Sequence, residues 1–338
     1  MPRTTVLLPV HNGAAFLDEA LGSVFAQTER DFEVLVLDDA STDESLHLAE
    51  ARKDPRIRIL RNETRQGLAA TLNRGLRESD SEFVARMDAD DVCLPKRLET
   101  QCRHMEQHPE VGLCGSWVRY FGDGRPFTAR YPTGPGNIQA YILFANPLVH
   151  ATAFMRRATL EQFDVWYDED VAIAQDYRLW ARCVKQFPID NIPRVLLRYR
   201  VHEAGATGKH FEESEAQAGT VSRDELTSLG LMVSEQELAL HRQVGMGRGA
   251  DTAESLIAAR DWLDRILTAN IEKDVYPPDG LRYACGFVWF RHCLNSTALG
   301  KVVGPVYRDA SFARDYQPAL QEKALFHLKV AMAGTAPQ

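Results

Sequence analysis

Thr4-Thr5-Val6-Leu7-Leu8-Pro9-Val10, running into His11-Asn12-Gly13, and Phe32-Glu33-Val34-Leu35-Val36-Leu37, running into Asp38-Asp39, are the two segments whose reading decides the fold. Each is a nearly unbroken aliphatic and β-branched run that stops abruptly at polar residues. Strands covered on both faces read this way, because neither face alternates with water. Between them Leu17, Ala20, Leu21, Val24 and Phe25 recur at helical spacing and give a crossover helix one apolar face. The pair is therefore a βαβ unit.

Working outward, Ser41-Thr42-Asp43-Glu44 reads as the capped start of a second helix, with Ser41 and Glu44 as a capping box. A strand at 57–60, a helix at 68–77 and a strand at 83–87 continue the alternation. Pro95 suits the first turn of a helix reaching about residue 108, and 111–120 is strand-rich. The glycines and prolines of 122–136 predict a loop. A helix is expected at 175–186 and a short strand at 195–201. Beyond about residue 203 the signals are helical, with a start at Ser234-Glu235-Gln236-Glu237, a long helix over 251–268 and an apolar, aromatic segment at 281–294. These elements predict an α/β fold with a mostly parallel sheet flanked by helices. The boundaries drawn from them are a domain over 1–214, split near residue 120, and a helical C-terminal region over 215–338.

Composition excludes several functions. The 338 residues carry 39 basic and 47 acidic side chains, a net charge of −8, and no long Lys/Arg run, so a nucleic-acid partner is not expected. Hydrophobic residues at 45% and charged residues at 25% describe a globular chain with a sizeable core. The apolar run before Pro9 is too short for a signal segment or a membrane span, which predicts a cytoplasmic protein. The six cysteines form no C-x-x-C pair and read as reduced structural thiols. Neither a G-x-G-x-x-G turn nor a Walker lysine loop follows the first strand, which argues against a nicotinamide enzyme or a P-loop NTPase.

In open α/β sheets ligands collect at the carboxyl ends of the strands. Three such ends are polar here: Pro9 to Gly13, Asp38 to Ser41, and Asp88-Ala89-Asp90-Asp91. Three carboxylates within four residues repel one another, and a hard divalent cation such as Mg²⁺ or Mn²⁺, which seeks oxygen ligands, relieves that repulsion. A solvated acidic turn before a helix is the alternative reading of the cluster. His11 could stack on a base and Asp39 could accept from a base N–H, but Asp38 and Asp39 also suit a helix-capping turn.

Taken together, Pro9-Val10-His11-Asn12-Gly13, Val36 to Asp43, Arg86 to Asp91 with Leu94-Pro95-Lys96-Arg97-Leu98, Asp176-Tyr177-Arg178-Leu179-Trp180 and Tyr199-Arg200-Val201-His202 resemble, in order and spacing, the inverting family-2 glycosyltransferases of GT-A fold over residues 3 to 205. The resemblance implies that Pro9, His11, Asn12 and Asp39 hold the nucleobase of a nucleotide-sugar, with uracil read by Asp39. It places Arg65 near base and phosphates, Asp88 at the ribose or donor sugar, and Asp90 on a Mn²⁺ or Mg²⁺ ion that bridges the diphosphate. Asp176 becomes the general base, His202 a further metal or diphosphate contact, and His150 a residue of the acceptor mouth. His11 stands where many members carry an aromatic residue, and Gln175-Asp176 where many carry Glu-Asp.

The resulting expectation is a metal-dependent transferase that moves a sugar from a UDP-sugar to a hydroxyl of a glycan or lipid-linked acceptor. A sugar nucleotidyltransferase and a non-catalytic nucleotide-sugar-binding protein are the alternatives. The helical C-terminal region lies outside the resemblance. Its aromatic segment leaves four readings open: core packing, a homo-oligomer contact, peripheral association with a membrane, or contact with an acceptor lipid.

Overall fold

A computed structural model describes residues 1–171, 173–203, 205 and 211–333. The chain divides into two compact units, one of residues 1–134 and 147–215, the other of 135–146 and 216–338. The sequence boundary at 214 misses the excursion 135–146, which folds with the C-terminal helices.

The first unit is built on one mixed sheet. Strand β1 (Thr4–Val10) is buried along its whole length and pairs in parallel with β2 (Phe32–Asp38), from Thr4 opposite Phe32 to Val10 opposite Asp38. β3 (Ile57–Arg61) joins β2, and β4 (Phe83–Arg86) joins β1 on its other side, both in parallel. Helix α1 (Ala14–Phe25) buries Leu17, Ala20, Leu21 and Val24, and each fully covered leucine or valine contributes about 1.5–3 kcal/mol. Helices α2 (Ser45–Ala51) and α3 (Leu68–Arg77) complete the crossovers.

Past β4 the sheet changes direction. β5 (Val92–Cys93), α4 (Arg97–Gln107), β6 (Leu113–Gly122) and β7 (Phe127–Ala129) follow, then β8 (Phe154–Arg156), α6 (Arg157–Gln162), α7 (Gln175–Cys183) and β9 (Ile189–Val201). The strand order among the described residues is β3-β2-β1-β4-β8-β6-β9-β5, with β7 beside β6. β8 is antiparallel to β4 and β6, and β9 is parallel to β6. Two-residue β5 pairs antiparallel with β9, Val92 opposite Arg198 and Cys93 opposite Leu197. That short pairing ties the acidic loop 88–91 to the far end of β9.

Four local expectations change. Residues 122–136 are not all loop: β7 pairs with β6 there, and α5 (Pro135–Tyr141) begins there. Helix α2 starts at Ser45 after Glu44, without a side-chain cap, so Ser41 and Glu44 form no capping box. Pro95 precedes the helix cap Lys96 and is outside the first turn, and its carbonyl accepts from the Thr28 N–H at 2.8 Å. β9 begins six residues earlier than its apolar half indicates, because Asp190, Asn191 and Pro193 mask the strand pattern.

The second unit comprises α5 with α8 (Phe211–Ser228), α9 (Glu235–Gly245), α10 (Ala253–Lys273), α11 (Pro278–Asn295), α12 (Val303–Asp309) and α13 (Leu320–Ala333). Ser234 caps α9 through the reciprocal bonds with Glu237 that the sequence signature implies. The aromatic segment lies in α11 and is packed inside this unit: Phe287 meets Tyr141 at 5.4 Å and Tyr316 at 4.9 Å, and Trp289 is fully buried. These rings are core, so they supply neither a membrane-facing nor a subunit-facing stripe. No helix among the described residues is long and apolar enough to cross a membrane.

Candidate active site

Because β1 lies between β2 and β4, the loops after all three strands are neighbours, with adjacent strands about 4.8 Å apart. The first two loops are laced together. The Asn12 N–H donates to Ser41 Oγ at 3.0 Å, the Thr42 N–H donates to Asn12 Oδ1 at 2.8 Å, and the Gly13 N–H donates to Ser45 Oγ at 2.9 Å. This is the work Ser41 does in place of capping α2. Asn12 and Ala40 both hold left-handed backbone, with φ of 54° and 56°, a cost of about 1–3 kcal/mol that persists only where surrounding bonds impose it. His11 is half-buried, with Nδ1 2.7 Å from the Asp39 carbonyl. Pro9 is buried within β1.

Asp39 is more committed than the sequence reading allows. Its Oδ1 accepts from Asn62 Nδ2 and the Gln66 N–H, both at 2.8 Å, and its Oδ2 accepts from the Gly67 N–H at 2.9 Å. Burial disfavours its charge, yet the bonds from Gln66, Asn62, Gly67 and Thr71 outweigh burial and hold its pKa below the usual carboxylate value. A carboxylate offers roughly four acceptor positions, so these donors occupy most of what was reserved for a base N–H. The carboxylate fixes the 62–67 loop. Arg65 is exposed on that loop, and Gly67, at φ 88°, turns the chain into α3.

The third loop carries the acidic cluster. Ligand oxygens of Asp88, Asp90 and Asp91 lie within 4.8 Å of one another. Asp88 is paired with the guanidinium of buried Arg86. Burial raises the Asp88 pKa, Arg86 opposes the rise, and the charges of Asp90 and Asp176 add to it. Asp90 Oδ2 is 2.9 Å from His202 Nε2. Asp91 is fully buried: Oδ1 accepts from the Arg200 N–H at 2.8 Å, while Oδ2 has no hydrogen-bond partner among the described residues. Burial and the charges of Asp88 and Asp90 push its pKa well up. An orphaned buried carboxylate oxygen beside two further carboxylates is the donor set a hard divalent cation fits.

Further candidates come from α7 and the turn after residue 149. Asp176 stands in the first turn of α7, behind Ala174 at φ 57°, and is half-buried. Its electrostatic effect on Asp88 and on buried Tyr167 brings it to the same site. His150 Nε2 is 2.8 Å from Tyr167 Oη, and its ring meets Trp180 edge-on at 6.0 Å. Burial, with Arg86 behind it, drives the His150 pKa well down, so this imidazole is neutral.

The sequence candidates thus fall into two groups. Pro9, His11, Asn12, Asp39 and Arg65 belong to the laced loops after β1 and β2, and Asp88, Asp90, His202, Asp176 and His150 surround the acidic loop. Arg86, Tyr167 and Arg200 were not singled out. Arg86 carried a signal, since a cation two residues before an acidic cluster invites pairing. Tyr167 did not, because its contact with His150 crosses 17 residues of chain.

A Rossmann-like half-sheet that continues into a mixed sheet, with joined loops and an acidic triad at its carboxyl edge, is the GT-A fold of sugar-transferring enzymes. The chain belongs to glycosyl transferase family 2. The family profile "Glycosyl transferase family 2" matches residues 5–163. The amylovoran biosynthesis glycosyltransferase AmsE of Erwinia amylovora is 33% identical over 189 residues, 54% of this chain and 70% of that protein. The O-antigen biosynthesis glycosyltransferase WbnJ of Escherichia coli is 30% identical over 209 residues, 59% and 79% of the two chains. Among solved structures, residues 1–349 of S. aureus TarS in complex with UDP-GlcNAc superpose with a TM-score of 0.56 at 17% identity, over 94% of this chain and 93% of that one.

Proposed function

We propose that this glycosyltransferase is dependent on Mn²⁺ or Mg²⁺, inverts the anomeric centre, and transfers a sugar from a UDP-sugar to a hydroxyl of a glycan or lipid-linked acceptor on the cytoplasmic side. The observation that carries the reading is the triad of Asp88, Asp90 and Asp91 with its unpartnered buried oxygen, near enough to Asp176 for the two sites to interact electrostatically. Relatives named for amylovoran and O-antigen biosynthesis support surface polysaccharide assembly as the setting. UDP-GlcNAc, held by the TarS fragment of the same fold, is the first donor to test.

Asp90 and Asp91, with His202 against Asp90, are the residues that would hold the cation. When bound, the cation supplies Lewis-acid stabilisation of the leaving diphosphate. Asp88, one oxygen pinned by Arg86, keeps the other for donor hydroxyls. The 62–67 loop anchored by Asp39, with His11 and Asn12, receives the base. Asp176 accepts the proton of the acceptor hydroxyl as that oxygen bonds to the anomeric carbon and the carbon–phosphate oxygen bond breaks on the opposite face. A positioned base of this kind contributes about 10²–10⁴-fold. Neutral His150, held by Tyr167, offers the acceptor a hydrogen-bonding edge that repels no incoming cation.

The test is nucleoside diphosphate release from a panel of UDP- and GDP-sugars with Mn²⁺ or Mg²⁺, and the anomeric configuration of the product by proton NMR. Asp176→Asn is expected to retain donor binding and lose turnover by at least about 100-fold. Pyrophosphate release from sugar phosphate and nucleoside triphosphate, or unchanged output from the Asn variant, overturns the reading.

A further inference from the structure

We propose that Arg200 is a positioning residue for the cation site: its side chain fixes the Asp90 peptide so that the Asp90 and Asp91 carboxylates converge before any ion arrives. The inference rests on the assignment of that site made above. Arg200 Nε donates to the Asp90 carbonyl at 2.8 Å, and the Arg200 backbone N–H donates to Asp91 Oδ1 at 2.8 Å. One residue thus grips two consecutive members of the triad, through different groups.

The guanidinium itself is immobilised. It lies over Phe16 at 4.6 Å and Phe121 at 4.5 Å from the ring centroids, is paired with Glu19, and its side chain is only 14% exposed. Phe16 also meets the His202 ring edge-on at 4.7 Å, and His202 holds the Asp90 carboxylate. Arg200, near the end of β9, and His202, just past it, both reach the acidic loop, one taking the peptide of Asp90 and the other its carboxylate. The reason for convergence is electrostatic. Three carboxylates drawn within 4.8 Å would otherwise swing the loop outward, and a fixed donor on the main chain resists this without neutralising a ligand oxygen. Lysine cannot replace this arrangement, because it has neither the planar face that stacks on the rings nor a fixed Nε–H. Arg198 stacks on the same Phe121 ring at 4.0 Å from two residues earlier on the strand, and it provides the control.

The experiment is a Mn²⁺ titration of the full chain without nucleotide, read by the electron paramagnetic resonance signal of free Mn²⁺, alongside thermal melting in chelator. Arg200→Lys and Arg200→Gln are expected to weaken Mn²⁺ binding by about 10–100-fold, the range for residues that orient metal ligands, with melting little changed. Arg198→Lys should bind as the wild type does, and Asp90→Ala should lose binding. If both Arg200 variants stay within about twofold of wild type while Asp90→Ala loses the ion, the role of Arg200 is wrong and the site assignment stands. If wild type binds no Mn²⁺, or Asp90→Ala binds as well as wild type, the site assignment itself fails and takes the inference with it. Should the Arg200 variants not fold, Phe121→Leu removes one stacking face with Arg200 and the Phe16–His202 contact intact; weaker Mn²⁺ binding supports the role and unchanged binding overturns it.

Discussion

At the scale of single residues, the site is organised by side chains that hold main chain as much as by side chains that would meet substrate. Asp39 is the clearest case: a buried carboxylate whose charge is stabilised by two loop amides and two side chains of the 62–71 stretch. Asp39→Asn replaces one acceptor oxygen with an NH₂ that must face the N–H of Gln66 or Gly67. Leaving such a buried donor unsatisfied costs about 1–3 kcal/mol. The expected outcome is faster hydrogen exchange at the Gln66 and Gly67 amides together with nucleotide affinity weakened by roughly 10-fold, the binding equivalent of the middle of that range. Exchange at those amides unchanged from wild type would show that the carboxylate does not anchor the loop. Asp90→Ala, by contrast, should leave those amides alone and make nucleotide affinity insensitive to chelator. The two aspartates therefore separate loop anchoring from cation binding by different observables.

At the scale of elements, helix α3 shows how closely the first unit is packed. A Cβ placed on Gly75 would lie 2.7 Å from Leu37 Cδ1 and 3.1 Å from Leu7 Cδ2, side chains of β2 and β1 that are themselves covered. Overpacking of this kind costs typically about 1–3 kcal/mol, so Gly75→Ala should lower the urea midpoint of the first unit with an unchanged m-value. A midpoint equal to wild type would mean that the two leucines yield freely. The same packing explains what could be read beforehand. β1, β2 and α1 are legible because strands buried on both faces and a one-faced helix write their burial directly into the residue pattern. β5 and β8, of two and three residues, are too short to carry a period, and the first half of β9 is polar where Asn191 donates to the carbonyls of Pro132 and Pro147. The candidate site was legible wherever its residues sit at strand ends. It was illegible where a role depends on pairing across the sheet, as for Arg200, or on a buried partner distant in sequence, as for Tyr167 with His150. Ser41 misled because a capping-box pattern describes local geometry, whereas its hydroxyl is taken by Asn12 of the preceding loop.

At the scale of the whole molecule, acid acts on the second unit through a buried histidine. The second unit buries His241 completely, with Nε2 2.8 Å from the Leu143 carbonyl and Nδ1 accepting from Trp262 Nε1 at 3.1 Å. One ring nitrogen must donate and the other must accept, so this environment admits only the neutral tautomer with its proton on Nε2. Burial first, and the nearby Arg242 charge as well, outweigh the Leu143 bond and lower the pKa from 6.5 to about 4. The folded pKa lies below the unfolded one, so between these values the unfolded chain binds the extra proton. Stability is therefore complete above about pH 6.5 and declines as pH falls towards 4. At about 1.36 kcal/mol per pKa unit the loss from this residue approaches ~3 kcal/mol. His241→Gln can still donate to the Leu143 carbonyl and accept from Trp262, but it cannot titrate. Urea unfolding near neutral pH and near pH 4 should show the wild type losing more stability than the Gln variant by an amount of that order, even if the variant starts lower. Parallel losses in the two proteins would remove His241 as an acid-sensitive element of the C-terminal unit.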